Sequence, residues 1–254
     1  GGPKSPPKPT RAPDTLNSRQ FVTIQDLISE GEIEGWATAS KEGRTQGTTA
    51  YNNAALKDVY LDNTPVLNSG ADSTNPATTD FNFQEVTFTP RFGTSNQTHI
   101  PGIVQSSSPV SGFPRACTVA NGGVTQQITN TNVDAVRLTI NFPQLQEAKD
   151  NGDLLGSSVQ LKVQIQYNSG GYSDLFTDTI TGRTSDSYSK DYRVEIDGAF
   201  PVDIKVVRLT ADSTNASLQD SFNVLSMQEL IDEHQTYANS AYAALKLDSK
   251  IVSN

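Results

Sequence analysis

The chain has 254 residues, enough for one large or two small domains, each with a real core. Apolar residues make up 35% and mean hydropathy is −0.46, a balance that fits thin β layers joined by long polar loops. A net charge of −9 and a pI of about 4.7 disfavour nucleic acid and anionic membranes as partners of the body, because like charges repel. The charge is uneven: residues 1–13 hold Lys4, Lys8 and Arg11 and no acid, so the rest of the chain carries −12. Cys117 is the sole cysteine, which excludes an internal disulfide and fits folding in a reducing compartment. His99 and His234 are the only histidines, too few for a typical zinc cluster. No apolar run approaches the ~20 residues of a membrane span, and the first residues lack the apolar core of a signal peptide. Any extracellular destination is therefore expected to be reached by lysis or assembly.

In chain order, Pro3, Pro6, Pro7, Pro9 and Pro13 make the start an extended arm, expected to order only against a partner. From Phe21 to Ile28 the apolar residues Phe21, Ile24, Leu27 and Ile28 recur at a spacing that favours helix over an irregular strand. Leu27, Ile28 and Ile33 are expected to plug into the core. Residues 41–53 read as a polar loop. Leu56 to Leu67 reads as a tight hairpin turning at Asp62-Asn63. Phe81, Phe83, Val86 and Phe88 read as a strand with a slip. Residues 101–124 read as a Ser-, Pro- and Gly-rich excursion, and residues 147–156 as a turn.

Clean alternation then marks Val136–Phe142, Val159–Tyr167, Tyr192–Ile196 and Val202–Val206, with Asn168-Ser169-Gly170-Gly171 reversing the second of these into Leu175–Ile180. Strands spaced about every ten residues predict an antiparallel sandwich. Val224–Asp232 fits either a strand or a helix face, and Ala243, Leu245 and Leu247 alternate to the end.

No catalytic constellation emerges. A hydrolytic serine needs a base within reach, and two histidines and no Gly-x-Ser-x-Gly elbow supply none. Asp150-Asn151-Gly152-Asp153 lacks the ligand ladder and closing Glu of a calcium loop, so it reads as a turn. No metal or cofactor site is expected. Trp36, the only tryptophan, could stack on a sugar, but a Trp after Gly35 reads better as a packed plug.

The order of the blocks carries a resemblance. Ile28-Ser29-Glu30-Gly31-x-Ile33-Glu34-Gly35, after a Pro- and Lys-rich start, resembles the opening of the lambda-like phage tail tip attachment protein J family, also called host specificity protein or central tail fibre. Lys57 to Leu67, Arg91-Phe92-Gly93 with Gln97, Val159 to Gly171, and Gly182-Arg183-Thr184-Ser185 follow in the family's order. So do Arg208-Leu209-Thr210-Ala211-Asp212-Ser213, Glu229 to Asp232, and Tyr237 to Ala241. Residues 36–55 and 102–123 look like insertions.

The resemblance implies a mainly β chain: a partial hub β-barrel carrying an inserted antiparallel β-sandwich domain, with an extended N-terminal arm. It divides the chain into an arm at 1–20, a first part of the hub barrel at 21–79, an inserted β domain at 80–215 and a return to the barrel at 216–254. Both Val224–Asp232 and Ala243–Leu247 would be strands returning to that barrel, and Phe21–Trp36 its entry strand or plug. Fibronectin-like modules and the receptor-binding tip would lie beyond residue 254. It further implies a non-enzymatic component of the virion tail tip, assembled in the host cytoplasm. The component would be a homotrimer that closes the tail tube and contacts neighbouring tail tip proteins and the tape measure protein. Lys4, Lys8, Arg11 and Trp36 are candidate subunit contacts. Two other classes compete: a carbohydrate-binding or hydrolysing tail spike-like β protein, which needs clustered exposed aromatics and a carboxylate pair, and a bacterial adhesin module.

Overall fold

A computed structural model describes residues 9–248, so Lys4 and Lys8 lie outside the described residues. Its elements begin with β1 (Phe21–Glu30), α1 (Ala37–Lys41), α2 (Thr49–Ala55), β2 (Tyr60–Leu61), β3 (Thr64–Pro65) and β4 (Thr87–Phe92). There follow β5 (Val104–Pro109), β6 (Arg115–Cys117), β7 (Val124–Ile128), β8 (Ala135–Phe142), β9 (Gln146–Ala148) and β10 (Leu154–Leu155). The rest are β11 (Ser157–Tyr167), β12 (Ser173–Gly182), β13 (Tyr188–Glu195), β14 (Val202–Arg208), β15 (Leu218–Gln219), β16 (Phe222–Asp232) and β17 (Ser240–Asp248). The chain is mainly β, and no sheet closes into a barrel among the described residues. It forms two compact units, one from residues 9–18 with Val104–Asp232 and one from residues 19–103 with 233–248.

The first unit is an antiparallel sandwich. One sheet has the order β12-β11-β14-β7, and the other runs β13-β8-β16-β5 with β6 also on β16. Alternation explains the layering: on β11, Val159, Leu161, Val163 and Ile165 point inward and are fully buried. Val202, Ile204 and Val206 of β14 join them, facing Val136, Leu138, Ile140 and Phe142 of β8 across one core. Each such side chain contributes roughly 1.5–3 kcal/mol by leaving water. Asn168 and Ser169 take positive φ of 44° and 59° to reverse β11 into β12, as the turn residues predict.

Val224–Asp232 is a strand, but it pairs with β8 inside the sandwich and not with the first strand of the chain. The register slips between Val224 and Ser226, so Val224, Met227 and Leu230 are buried while Leu225 is exposed. The bulge gives the burial pattern neither a strand nor a helix period, which is why the sequence left both open. Residues 101–124 and 147–156 are not bare connections, because they contribute β5, β6, β9 and β10.

The second unit holds a three-stranded sheet, β1-β17-β4. β17 is the middle strand and is buried on both faces. Ala243, Leu245 and Leu247 meet Leu56, Val66, Leu67 and Phe88, and Tyr242 and Ala244 meet Ile100. Phe21–Ile28 is strand and not helix. A bulge between Leu27 and Ser29 and apolar residues three apart imitate a helical period. Leu27 and Ile28 do not plug the core; they are 57% and 44% exposed. The strand expected from Phe81 starts later, at Thr87, because Glu85 takes φ of +54° and breaks the pairing. The loop expected at 41–53 gives way at Thr49 to α2, capped by the Thr48 hydroxyl accepting from Tyr51 N–H, with Tyr51, Ala54 and Ala55 buried at i, i+3 and i+4. β2 and β3 form the hairpin at Asp62-Asn63, both at positive φ.

Candidate functional site

The blocks that carry the family resemblance are where the fold is pinned by polar contacts between distant segments. In the second unit, Gly31, Gly93, Gln97 and residues 236–240 meet at one corner. Gly93, at φ +88°, lies so close to Gly31 that an added Cβ would stand 2.4 Å from the Gly31 carbonyl oxygen, so only glycine fits. Gly93 N–H donates to Gln97 Oε1 at 2.8 Å, and Gln97 Nε2 faces the carbonyls of Thr236, Tyr237 and Ser240 at 2.9–3.2 Å. Arg91 Nε and Nη2 donate to the carbonyls of Thr98 and His99. One glutamine and one arginine thus satisfy the backbone of two loops that have no sheet partners.

A second pin fastens the helical segment. Glu42 accepts from Lys57 Nζ at 2.7 Å and from the buried Ser73 hydroxyl, and Lys57 also donates to the Ala71 carbonyl at 2.6 Å. The hydrogen bonds from Lys57 and then Ser73 lower the Glu42 carboxyl to about 2. This is a structural clamp: Ser73 is fully buried and its hydroxyl is held by a carboxylate, so it has no access to a substrate.

In the sandwich unit, Gly182-Arg183-Thr184-Ser185 forms a socket for the arm. Arg183 is 3% exposed; its Nη1 donates to the Ala12 carbonyl at 2.8 Å and to the Asp14 carboxylate. Ser185 donates to the other Asp14 oxygen at 2.9 Å, and Arg183 N–H donates to Thr15 Oγ1 at 3.1 Å. Backbone pairing of Ala12 with Leu154 and of Thr15 with Arg183 extends the contact. Thr10 N–H and then Asn151 hold the exposed Asp153 carboxyl below its usual value. Residues 9–18 therefore order against their own unit, correcting the expectation that the arm orders only on a partner.

Arg208-Leu209-Thr210-Ala211-Asp212-Ser213 is a further pin. Buried Arg208 reaches the Asp220 carboxylate at 2.8 Å and the carbonyls of Asp220 and Thr210 at 2.7 and 3.0 Å. Asp212 accepts from Val119 N–H and Ala120 N–H at 2.9 Å each, which lowers its carboxyl.

The sequence-named candidates do not converge. Arg11 is exposed and bridges to Leu154 by its backbone. Trp36 packs edge-on against Phe88, with ring centroids 5.2 Å apart, and its backbone N–H donates to Tyr51 Oη, the geometry of a plug. His99 and His234 meet edge-to-face, with ring centroids 4.9 Å apart. Burial pushes the Cys117 thiol up to about 11, which keeps it protonated and unreactive. No group of three or more His, Cys, Asp or Glu side chains able to hold a metal occurs among the described residues. What sequence reasoning missed is the Arg183–Asp14 socket and the Glu42–Lys57–Ser73 clamp.

Residues 116–233 match a family model described as Tip attachment protein J, FNIII-A domain. The resemblance places fibronectin-like modules beyond residue 254; this match puts a domain of that name within the chain. Over 252 residues, 99% of the chain, the sequence is 31% identical to Tip attachment protein J of Escherichia phage SECphi27. Over 251 residues, 97% of the chain, it is 31% identical to Tip attachment protein J of Escherichia phage SECphi4. The chain spans about a fifth of the length of these curated relatives, 19% and 20%. A solved xylan-binding domain from CBM 22 aligns with 56% of the chain and 98% of itself at 11% identity. Its TM-score of 0.26 is too low to carry an argument.

Proposed function

A member of the tip attachment protein J family along nearly its whole length, the chain is, we propose, a structural segment of a phage tail tip that serves host attachment. The observation that carries this reading is 31% identity over 252 residues, running through both compact units and every pinned block. The pins support a role by assembly without catalysis: their charged groups are spent on backbone carbonyls and on one another, as in the Arg208–Asp220 and Lys57–Glu42 pairs.

In this proposal the second unit is the hub segment and the sandwich is the domain inserted into it. The open β1-β17-β4 sheet is part of a barrel that closes the tail tube. Three copies surround the tail axis, contact neighbouring tail tip proteins and the tape measure protein, and support the receptor-binding parts carried by the remainder of the protein. The chain assembles in the host cytoplasm and ends in the virion tail tip. Lys4, Lys8 and Arg11 of the basic arm, with Trp36, are the proposed subunit contacts.

The test is electron microscopy of tails in which this segment carries an inserted label. Three labels in a ring at the tip are the expected result. A label along the shaft, or a single copy off the axis, overturns the proposal.

A further inference from the structure

β1 pairs with β17 alone, so its other edge has no strand partner among the described residues. Soluble proteins blunt such edges with charge, proline or short length, because an unpaired row of N–H and C=O groups templates strand addition. β1 is ten residues long, contains no proline, and exposes Phe21 by 47%, Ile24 by 38%, Leu27 by 57% and Ile28 by 44%. Phe21 and Leu27 share one face of the sheet and Ile24 lies on the other, so apolar surface flanks the edge on both sides.

Lys246 of β17 lies over the Phe21 ring at 5.1 Å, so the charge is acidic toward the other end of the strand. Between Arg19 and Lys41 there is no basic residue, whereas Asp26 and Glu30 on the strand and Glu32 and Glu34 on the segment after it are exposed carboxylates. None of the four forms an ion pair with a described residue, while Arg19, at the other end, is already engaged by Glu85 at 2.8 Å.

We propose that the β1 edge receives an extended strand from a partner, one bearing lysine or arginine opposite the Asp26–Glu30 end and apolar side chains at alternate positions. Backbone pairing supplies the register, the exposed Phe21, Ile24 and Leu27 supply apolar contact, and the unpaired carboxylates select the sign of charge. The chain's own arm is basic but fits poorly, because Pro3, Pro6, Pro7 and Pro9 lack the N–H groups an added strand must donate. The proposal rests on the geometry and charge of β1, and the added strand would be the one that continues this sheet toward the barrel proposed above.

The full chain is titrated, at physiological salt, against three labelled ten-residue peptides followed by fluorescence anisotropy. One alternates valine with lysine, one alternates valine with glutamate, and one is the basic peptide with proline at every third position. The basic peptide is expected to bind about tenfold or more tighter than either of the others, and the exposed-site variant Leu27→Thr is expected to weaken it by a similar factor. Equal binding of the proline peptide would reduce the effect to unspecific charge attraction and overturn the proposal, as would unchanged binding by Leu27→Thr or no binding at all. Sedimentation velocity on the same samples covers the remaining occupant. Self-association that Leu27→Thr removes would assign the edge to a second copy and equally overturn it.

Discussion

The two units are stabilised in different ways. The sandwich has a core of twenty-one buried residues among those described, drawn from both sheets. Its edges are blunted: β5 exposes Gln105, Ser106, Ser107 and Ser108 and ends at Pro109, and β13 carries Lys190, Asp191, Arg193 and Glu195. The main core cluster of the second unit has nine buried residues, and its sheet presents an apolar edge. Polar pins hold loops in both units, Arg183 and Arg208 in the sandwich and Gln97, Arg91 and the Glu42–Lys57–Ser73 clamp here, but here they act beside a smaller core. One unit covers its edges with charge and proline, whereas among the described residues the other leaves the β1 edge apolar and unpaired.

Trp36 makes this difference measurable, since the only tryptophan sits in the second unit and circular dichroism sees both. The largest effect is expected from Arg208→Met in the sandwich. It strands the buried Asp220 carboxylate without its partner, which costs about 3–5 kcal/mol. Urea unfolding should then lose its sandwich transition early by circular dichroism while the Trp36 fluorescence midpoint stays in place. If both signals move together, the units are not independent in stability.

Core truncation sharpens the contrast. Leu161→Ala opens a cavity in the middle of β11, where every neighbour is fixed in a sheet, and should cost about 2–5 kcal/mol. Leu245→Ala, in a thinner layer that can relax around the gap, should fall at the low end, about 2 kcal/mol, and lower the Trp36 midpoint while the sandwich transition seen by circular dichroism stays in place. Equal costs would mean that the second core is as tightly packed as the first.

Much of the sandwich was legible because its central strands obey a single period. Val159 to Ile165 and Val136 to Phe142 alternate without a slip, and burial follows the alternation. Where a bulge inserts one residue, as at Ile28 or Leu225, the same local pattern points to the wrong element or to none. α2 was visible in principle, since Tyr51, Ala54 and Ala55 fall on one helical face behind Thr48, but polar neighbours masked it. The pins were not legible. Arg183 and Asp14 lie 169 residues apart, and a charge pair at that separation leaves no local period, only two residues indistinguishable from surface charges. The resemblance flagged Gly182–Ser185 and Arg208–Ser213 as blocks; only the structure says what they hold.

The clamp in the second unit gives a pH signature. The Glu42 carboxyl titrates near 2 in the folded chain, against an ordinary value of 4.5, so its contribution is complete above about 4.5 and is lost as the pH falls from there to about 2. Glu42→Gln leaves Lys57 buried without its counter-charge and should cost about 2 kcal/mol at neutral pH, discounted for the partial exposure of Glu42. The cost should shrink toward zero at pH 2, where the native carboxyl is itself being protonated. A Trp36 midpoint difference independent of pH between 2 and 6 would mean that the clamp is held by packing.

The smallest stability effect and the most local consequence belong to the arm. Asp14→Ala removes one acceptor from Arg183 while leaving its bonds to the Ala12 carbonyl and Gln146, so global stability should fall by about 1 kcal/mol or less. The Asp14 contact is nonetheless the only ion pair between residues 9–18 and the sandwich among the described residues. Its loss should raise the fraction of time that the segment is open and increase trypsin cleavage after Arg11 several-fold, with no change in either unfolding midpoint. Cleavage at the native rate would show that the backbone pairing at Ala12 and Thr15 holds the arm alone, and that Arg183 is buried for the sake of the sandwich. Faster cleavage accompanied by a lower sandwich midpoint would instead make residues 9–18 an integral strand of that unit, leaving only the residues before Pro9 to reach a neighbour.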